Sequence, residues 1–280
     1  MKYANLHLHS IYSDGDFTPT QLTLIGKSLG YYALALTDHE TDGGVKDLFT
    51  AAKREGLKAI SGAEFYGDGL GAKFHIVGLD YDMDNPQMRA FIRNLCERYT
   101  EYTRKCVERG LALGLIEGIT WDDVMENCES GTWVCIDQVR TTLQRKRVLE
   151  RCGGMAQVRA TCFKGPEPDS FKPAHPSAEE VIKVIRQAGG VAILAHPNQQ
   201  TQYVEQLVEM GLNGIEISHP HLFGNTASLA LEAAKAFNLY RSGGTDHTGA
   251  MSGCGGVNAV PALNGITEEE YTVLTERRLG

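Results

Sequence analysis

Short apolar runs that end in a histidine or a carboxylate recur along this chain. The polar residues placed at the ends of these runs are His7, His9, Asp38, His39, Glu64, His75, His196, Asp246 and His247. Short buried strands whose ends project polar side chains into one shared mouth are typical of a barrel with its site at that mouth. We therefore expect these side chains to converge in the folded molecule.

The order of predicted elements favours an α/β fold built as a parallel barrel. Strand-like runs lie at residues 3–8, 32–37, 58–63, 74–79, 191–195, 214–218 and 239–243. Helix-like segments separate most of them. Thr18-Pro19 predicts a helix start, Gly56 a helix stop, and capping-box patterns begin at Ser177 and Thr267. The repeated alternation points to a barrel rather than a sandwich.

Residues 86–175 do not fit this alternation. Most of the stretch reads as helix, and a proline-rich return segment from Lys164 to Pro176 closes it. We predict a barrel formed by residues 1–85 and 176–280, with a helical insertion at 86–175 that caps the mouth. The segment between Phe65 and Lys73 is too short for a crossover helix, so we expect it to loop out and return His75 beside Glu64.

The acidic balance of the chain argues against broad binding of a nucleic-acid backbone. Its 280 residues include 27 basic and 35 acidic side chains, a formal net charge of −8. A small phosphorylated substrate remains compatible, because bound divalent cations invert the local field. The expected partner is a small phosphate ester, with no long nucleic acid, no membrane and no partner protein.

The cysteines and the N-terminus favour a cytoplasmic protein. The seven cysteines are odd in number and form no C-x-x-C pair, so they read as reduced thiols. The chain begins directly with a strand-like run, and no apolar stretch approaches transmembrane length.

His7 and His9 form the centre of a predicted metal site. They are two residues apart in a strand, so both rings point to the same face. The polar loop that follows adds Asp14. An exposed pair of histidines is the alternative reading of the isolated motif, but the added carboxylate favours metal binding.

Further candidate ligands follow later strands. Asp38-His39 alone would also fit a helix-capping aspartate beside a surface histidine. Glu64 ends an apolar strand, where an unpaired carboxylate is costly to bury and a metal would remove that cost. The predicted metal ligands are His7, His9, Asp14, His39, Glu64, His75, His196 and Asp246.

This mixed nitrogen and oxygen set suits Zn²⁺, Mn²⁺ or Fe²⁺. Because the ligands are too many for one ion, we expect two or three divalent ions. Such a cluster supplies a metal-activated hydroxide and neutralises a phosphate, which predicts phosphate-ester hydrolysis.

Six motifs occur in a specific order along the chain. They are His7-x-His9 with Ser13-Asp14-Gly15, Thr37-Asp38-His39, Gly62-Ala63-Glu64, His75, Ala195-His196-Pro197 and Gly243-Gly244-Thr245-Asp246. This set resembles the motifs of the PHP (polymerase and histidinol phosphatase) family of metal-dependent phosphoesterases. The resemblance implies an α/β fold, a distorted (β/α)7 TIM-like barrel, with a di- or trinuclear metal centre at its C-terminal mouth.

The resemblance also implies a role for each ligand. The first metal would be held by His7, His9, Glu64 and Asp246. Glu64 would bridge to a second metal, held also by His75 and His196. Asp14 and His39 would contribute to a third metal, and Asp38 would orient a ligand.

The chain departs from the family pattern at two places. The family commonly ends with Asp-x-His-Gly, whereas this chain has Asp246-His247-Thr248-Gly249. The shifted histidine is expected either to reach the third metal or to donate to substrate. Similar proteins often carry Arg-Pro-His in the insertion, where this chain has Ile136-Asp137-Gln138-Val139-Arg140, so we expect its substrate recognition to differ.

The remaining basic side chains are candidates for contact with substrate. Asp246, His221 and His247 are the predicted catalytic residues. The predicted phosphate contacts are His219, His221, Arg241, Lys164 and Lys172. For the two histidines, His219 and His221, a loop side chain that contacts only water is an equally good interpretation. His175, in the proline-rich segment, is expected to be structural or exposed.

The sequence thus favours a phosphoesterase that acts on a nucleotide or sugar phosphate, as a monoester or a cyclic phosphodiester. An amidohydrolase-like C–N or C–O hydrolase is the nearest alternative, because such enzymes also use H-x-H and a late aspartate. A metal-binding regulatory module without turnover is the second alternative.

Overall fold

A computed structural model describes residues 3–129, 133–249 and 264–279. The strands are β1 (Tyr3–Asn5), β2 (Tyr31–Ala35), β3 (Lys58–Ile60), β4 (Gly62–Gly69), β5 (Ala72–Leu79), β6 (Val191–Leu194), β7 (Gly214–Ser218), β8 (Tyr240–Gly243) and β9 (Ile266–Thr267). The helices are α1 (Pro19–Ser28), α2 (Val45–Glu55), α3 (Pro86–Ala112), α4 (Trp121–Met125), α5 (Ile136–Arg145), α6 (Gly154–Cys162), α7 (Pro166–Phe171), α8 (Ala178–Gln187), α9 (Val204–Glu209), α10 (Thr226–Ala236) and α11 (Glu268–Thr275).

The strands form two sheets with mixed directions. One sheet has the order β3-β2-β1-β9 and the other β4-β5-β6-β7-β8. β1, β2 and β3 run parallel, as do β6, β7 and β8, with helices between most of them. β5 runs antiparallel to both β4 and β6, and β9 runs antiparallel to β1. The predicted α/β class is confirmed.

The expectation of a closed parallel barrel is not confirmed. Within the described ranges, no named strand of one sheet pairs with a named strand of the other. The sheets approach through isolated bridges instead, Leu8 with His247 and His39 with Glu64. The parallel pattern is broken because residues 65–73 do not loop out: β4 continues to Gly69 and turns tightly into β5.

Local capping signals place several helices as predicted. Thr18 and Gln21 form a reciprocal capping box at the start of α1, and Thr267 with Glu270 does the same for α11. Gly56 ends α2 with φ 74°, a left-handed conformation that glycine adopts without steric cost. These caps fix where each helix begins or ends.

The helices α3 to α7 occupy the interval predicted as an insertion. Residues from these helices and their loops form a hydrophobic cluster of their own, which includes Val107, Ile116, Val139 and Leu143. The proline-rich segment is not simply a linker, because residues 166–171 form α7 with a proline in its first turn. The boundaries of the insertion stay a prediction.

The strand interiors are apolar, and the strands of both sheets share a buried cluster that includes Leu6, Ala33, Val77 and Ile193.

The six cysteines within the described ranges are free thiols, and Cys254 lies outside those ranges. Among the described helices, none combines the length and the apolar character that a membrane crossing needs.

Candidate metal centre

Polar side chains from both sheets meet at one point. His7 and His9 follow β1 and His39 follows β2, whereas Glu64 lies in β4 and His75 in β5. His196, His219 and Asp246 follow β6, β7 and β8. The residues at the carboxyl ends of parallel strands thus gather as the sequence predicted.

The first group joins His7, His9 and Asp246. Asp246 Oδ1 lies 3.0 Å from His9 Nε2 and 3.5 Å from His7 Nε2. The two Nε2 atoms are 3.2 Å apart, and the ligand atoms of the three residues lie within 4.8 Å of one another. The structure therefore brings together three of the four residues that the resemblance assigned to a first metal, and the fourth, Glu64, lies 3.6 Å from His7 Nε2.

Glu64 faces two further sets of histidines with its two oxygens. Oε1 lies 2.9 Å from His75 Nδ1 and 3.1 Å from His196 Nε2. Oε2 lies 3.0 Å from His39 Nδ1 and 3.5 Å from His9 Nε2. One buried carboxylate thus stands between histidines from both sheets, as a bridging ligand would.

Asp14 completes the side of the cluster near His39. Its oxygens lie 3.3 Å from His9 Nδ1 and 3.8 Å from His39 Nε2. Asp38, which the resemblance expects to orient a ligand, contacts the loop that precedes Asp14. It accepts hydrogen bonds from the backbone and hydroxyl of Ser10 and from Ser13 Oγ, and so holds the loop that carries Asp14.

The side chains present fit divalent metal ions. The buried ring atoms His9 Nδ1 and His39 Nδ1 have no hydrogen-bond partner among the described residues, although a carboxylate oxygen lies within 3.3 Å of each. Lone pairs that converge without forming hydrogen bonds are costly unless a cation lies between them. Mixed imidazole and carboxylate donors suit Zn²⁺, Mn²⁺ and Fe²⁺.

The charges of the cluster depend on one another. Burial alone would raise the pKa of Glu64, but His75, His39 and His7 hold it well below its ordinary value. Burial lowers the pKa of His39 to about 4, and Glu64 and Asp14 oppose this only in part. At neutral pH His39 is therefore an uncharged imidazole beside an ionised carboxylate, the protonation states that metal binding would require.

Glu216 is a candidate functional residue that the sequence interpretation missed. It is fully buried in β7, accepts a hydrogen bond of 2.8 Å from His7 Nδ1 and another of 2.6 Å from the backbone N–H of His196. Because a carboxylate only accepts, His7 carries its proton on Nδ1 and presents the Nε2 lone pair to the cluster. The signal was a charged residue inside the apolar run Gly-Ile-Glu-Ile.

His219 and His221 both reach the cluster. His219 Nδ1 accepts a hydrogen bond of 3.0 Å from the backbone N–H of His221, and its Nε2 lies 3.3 Å from Asp246 Oδ2. The half-buried ring of His221 contacts the rings of His219 and His196. Burial and His219 lower the pKa of His221.

Two predicted residues lie elsewhere. The ring of His247 stacks on Phe17 and lines a small cavity with Leu8 and Leu22, and it belongs to none of the potential ligand groups among the described residues. Asp246, directly before it, has a left-handed backbone conformation with φ 48°, so the direction of the His247 side chain does not follow the alternation of an extended strand. Arg241 forms an ion pair of 3.4 Å with Glu270 of α11 instead of facing the cluster.

A cavity of about 500 Å³ opens beside the metal centre. Asp14, His39 and His75 form part of its wall, and the predicted phosphate contacts Lys164 and Lys172 form another part. His175, expected to be structural or exposed, also lines this cavity and contacts Lys73 and Tyr99. A groove of about 580 Å³ along α3 contains none of the clustered histidines.

Comparison with known proteins identifies close relatives over most of the chain. A PHP domain profile matches residues 5–130. The chain is 30% identical to a 5'-3' exoribonuclease of Haemophilus influenzae, over 88% of this chain and 89% of that protein. It is 30% identical to a 3',5'-nucleoside bisphosphate phosphatase of Chromobacterium violaceum, over 88% of this chain and 87% of that protein. It is 29% identical to a phosphoribosyl 1,2-cyclic phosphate 1,2-diphosphodiesterase of Eggerthella lenta, over 88% of this chain and 94% of that protein.

Solved structures agree on the fold. A protein of Bifidobacterium adolescentis, provisionally assigned as a metal-dependent phosphoesterase, superposes with a TM-score of 0.79 at 23% identity, over 99% of this chain and 96% of that one. An amidohydrolase of Chromobacterium violaceum, with bound sulfate and no metal, gives a TM-score of 0.71 at 26% identity. The match covers 88% of this chain and 87% of that one. Because one relative is named an exoribonuclease, the expected exclusion of nucleic acid stays a prediction.

Proposed function

Because the chain belongs to the PHP family, we propose that it is a metal-dependent phosphoesterase that hydrolyses a small phosphorylated metabolite. The observation that carries this proposal is Glu64, whose two oxygens face histidines from both sheets beside an open cavity. The names of two relatives support a small substrate, one a nucleoside bisphosphate and the other a cyclic phosphate. We propose a nucleotide or sugar phosphate, as a monoester or a cyclic diester.

We further propose two divalent ions and a third where Asp14 and His39 meet. His7, His9, Glu64 and Asp246 would hold the first ion, and Glu64, His75 and His196 the second. When bound, such ions activate water and neutralise charge that develops on a phosphate. We also propose that the two sheets form a distorted (β/α)7 barrel, since the isolated bridges join them, and that residues 86–175 cap its mouth.

Other side chains of this chain complete the proposed mechanism. Since His219 Nδ1 accepts from a backbone N–H, its neutral ring carries the proton on Nε2 and directs it at Asp246 and the adjoining space. His221 is more exposed and faces the mouth, so we propose that it contacts the oxygen of the leaving group. Glu216 keeps His7 in the tautomer that a ligand needs.

A C–N or C–O hydrolase is the second candidate, because a similar solved structure is named an amidohydrolase. The alternative of a metal-binding regulatory module without turnover loses support, since relatives that match most of the chain are named as enzymes. A panel of phosphate monoesters, cyclic phosphodiesters, amides and lactones, assayed with Mn²⁺-loaded protein, separates the candidates. Release of inorganic phosphate or ring opening of a cyclic phosphate is the expected result.

We expect Glu64→Gln to reduce turnover by more than about 100-fold. Replacing a residue that only supports a metal ligand typically costs up to roughly 100-fold, and Glu64 is itself a proposed ligand. Elemental analysis should show fewer bound ions in this variant. Glu179→Gln, at an exposed site on α8, is the matched control and should keep full activity. If Glu64→Gln retained wild-type activity and metal content, the proposed function would be wrong.

A further inference from the structure

The insertion reaches the metal centre through helix α5, at the stretch where the chain departs from the family pattern. Gln138 and Arg140 of this helix line a small cavity of about 50 Å³ together with Ser13. We propose that these two side chains are positioning residues, which hold the loop of residues 10–16 so that Asp14 can bind a metal ion. This inference rests on the metal set of the proposed function, and it adds two residues that contact neither metal nor substrate.

Both side chains hold the loop at points next to Asp14. Gln138 Nε2 donates a hydrogen bond of 2.6 Å to the carbonyl oxygen of Ser13. Arg140 Nη2 donates a hydrogen bond of 3.1 Å to Asp16 Oδ1. Since Ser13 directly precedes Asp14 and Asp16 follows it by two positions, the two contacts flank the carboxylate. A loop that is held on both sides of a ligand keeps that ligand in place.

The two anchoring side chains are themselves fixed. Gln138 Oε1 accepts a hydrogen bond of 2.9 Å from the backbone N–H of Cys135, as part of the capping box that begins α5. Arg140 Nε donates to Asp137 Oδ1 at 3.1 Å, and Arg140 Nη1 donates to Gln144 Oε1 at 3.3 Å. Arg140 is only 6% exposed, and a buried guanidinium is stable only with such partners. Both side chains therefore act as rigid supports.

The loop also lies against segments that carry other predicted ligands. The backbone N–H of Asp16 donates a hydrogen bond of 2.8 Å to the carbonyl oxygen of Thr248, two residues after Asp246. A Cβ at Gly15 would lie 2.4 Å from the carbonyl oxygen of His9, so the loop packs directly on the backbone of that ligand. Through this loop, helix α5 supports backbone segments that extend from both sheets.

Asp14 is the ligand that depends most on this support. It lies on the loop itself, 3.3 Å from His9 Nδ1 and 3.8 Å from His39 Nε2, whereas the other predicted ligands lie in strands or shortly after them. Helix α5 packs into the insertion's own hydrophobic cluster through Val139 and Leu143. A shift of the insertion would therefore move Asp14 more than the ligands that the strands hold. Loss of the anchors should weaken the binding of one ion selectively.

The test is a Co²⁺ titration of metal-free protein, because the visible absorption of bound Co²⁺ reports its coordination geometry. Asp14→Asn identifies the binding step to which Asp14 contributes. Arg140→Lys keeps the positive charge but loses the planar fork that bonds Asp16 and Asp137 together. We expect Arg140→Lys to weaken the same binding step by about 10- to 100-fold and to change the other steps by less than about 3-fold.

Arg145→Lys is the matched control for Arg140→Lys. Arg145 lies on the same helix, is exposed and bonds Asn127 of the insertion, so this variant should bind Co²⁺ as wild type does. Asp16→Ala removes the partner on the loop and should weaken the same step, which keeps the inference testable if Arg140→Lys fails to fold. In the Asp16→Ala background, Arg140→Lys should change that step by less than about 3-fold, because its partner is already missing.

Three results would overturn the inference. The first is an unchanged Asp14-dependent step in Arg140→Lys and in Asp16→Ala. The second is an equal weakening of every step, as a general loss of structure would cause, and the third is wild-type Co²⁺ binding in Asp14→Asn. The phosphate panel decides the proposed function separately. Wild-type protein that binds Co²⁺ but hydrolyses no phosphate ester would overturn that function, while the titration alone decides whether the two residues position Asp14.

Discussion

At the scale of single residues, Glu216 fixes two predicted metal ligands at once. It accepts from the imidazole of His7 and from the backbone N–H of His196. We expect Glu216→Gln to keep the fold but to weaken metal affinity by about 10- to 100-fold, because the amide N–H₂ must face one of two donors. Competition with a chelator of known affinity measures the change.

Glu205→Gln, at an exposed position in the first turn of α9, is the control for Glu216→Gln and should leave metal affinity unchanged. Wild-type metal affinity in Glu216→Gln would show that the hydrogen bond to His7 has no influence on the centre.

His175 offers a prediction about pH. Burial, with the positive charges of Lys73 and Lys172, lowers the pKa of His175 from its ordinary value of 6.5 to about 4. The unfolded chain therefore binds a proton more readily, so this group makes the protein less stable as pH falls from 6.5 towards 4. We expect Lys172→Ala to raise the pKa of His175, which NMR titration of the imidazole signals can measure.

A Lys172→Ala variant with an unchanged His175 titration would show that the two side chains do not interact. Lys183→Ala, on the exposed face of α8, should leave the titration of His175 unaltered.

Most of the predicted ligands could be read from the sequence because they close or open an apolar run, whereas Asp14 lies in the polar loop after His9. His7, His9 and Glu64 are examples, and the structure brings them together. His247 could not be placed in this way, because Asp246 before it has a left-handed backbone conformation that the sequence pattern does not reveal. Glu216 was missed because it lies within a strand rather than at its end.

At the scale of elements, the β4–β5 hairpin brings His75 back to Glu64, and helix α8 packs closely against β4. A Cβ at Gly67 would lie 2.9 Å from the Cα of Ala178 on α8, so one of the two elements must shift. We expect Gly67→Ala to reduce the free energy of unfolding by about 1–3 kcal/mol, the usual cost of overpacking. Urea denaturation measures this change.

Gly69 on the same strand provides the matched control for Gly67. A Cβ there would meet only the Cβ of Ala178 at 3.6 Å, an ordinary contact. Gly69→Ala should therefore cost less than Gly67→Ala, and equal stabilities for the two variants would contradict the packing argument.

Helix boundaries were predicted well because capping is local chemistry. Thr18 and Thr267 each form the reciprocal hydrogen bonds that their sequences indicate. Strand direction was not predictable in the same way. The tight turn between β4 and β5, and the short β9, depend on pairing between segments that periodicity alone does not reveal.

At the scale of the whole molecule, the α/β class followed from the alternation of apolar runs and amphipathic segments, whereas barrel closure did not. The described strands form two sheets linked by isolated bridges. The metal centre lies where these sheets meet, with His9 on one side and Asp246 on the other. Global closure depends on many weak contacts, so sequence patterns constrain it less than they constrain each strand.

This arrangement predicts that metal loading stabilises the entire fold. A ligand that binds only the folded state raises the free energy of unfolding by about 2.7 kcal/mol at a free concentration of 100 Kd. We expect EDTA to lower the melting temperature and Mn²⁺ to restore it, as measured by differential scanning fluorimetry. Glu64→Gln should show a smaller difference, and identical melting temperatures with and without metal would contradict the prediction.

The position of Glu64 between the two sheets has a consequence for the protein's lifetime. Ions held by Glu64 and by histidines of both sheets would add cross-links to the isolated bridges that join the two sheets among the described residues. Scarcity of transition metal in the cell would then lower the abundance of the polypeptide as well as its turnover, because proteases degrade chains that open more often. The supply of metal and the rate of proteolysis would therefore both affect the protein through Glu64.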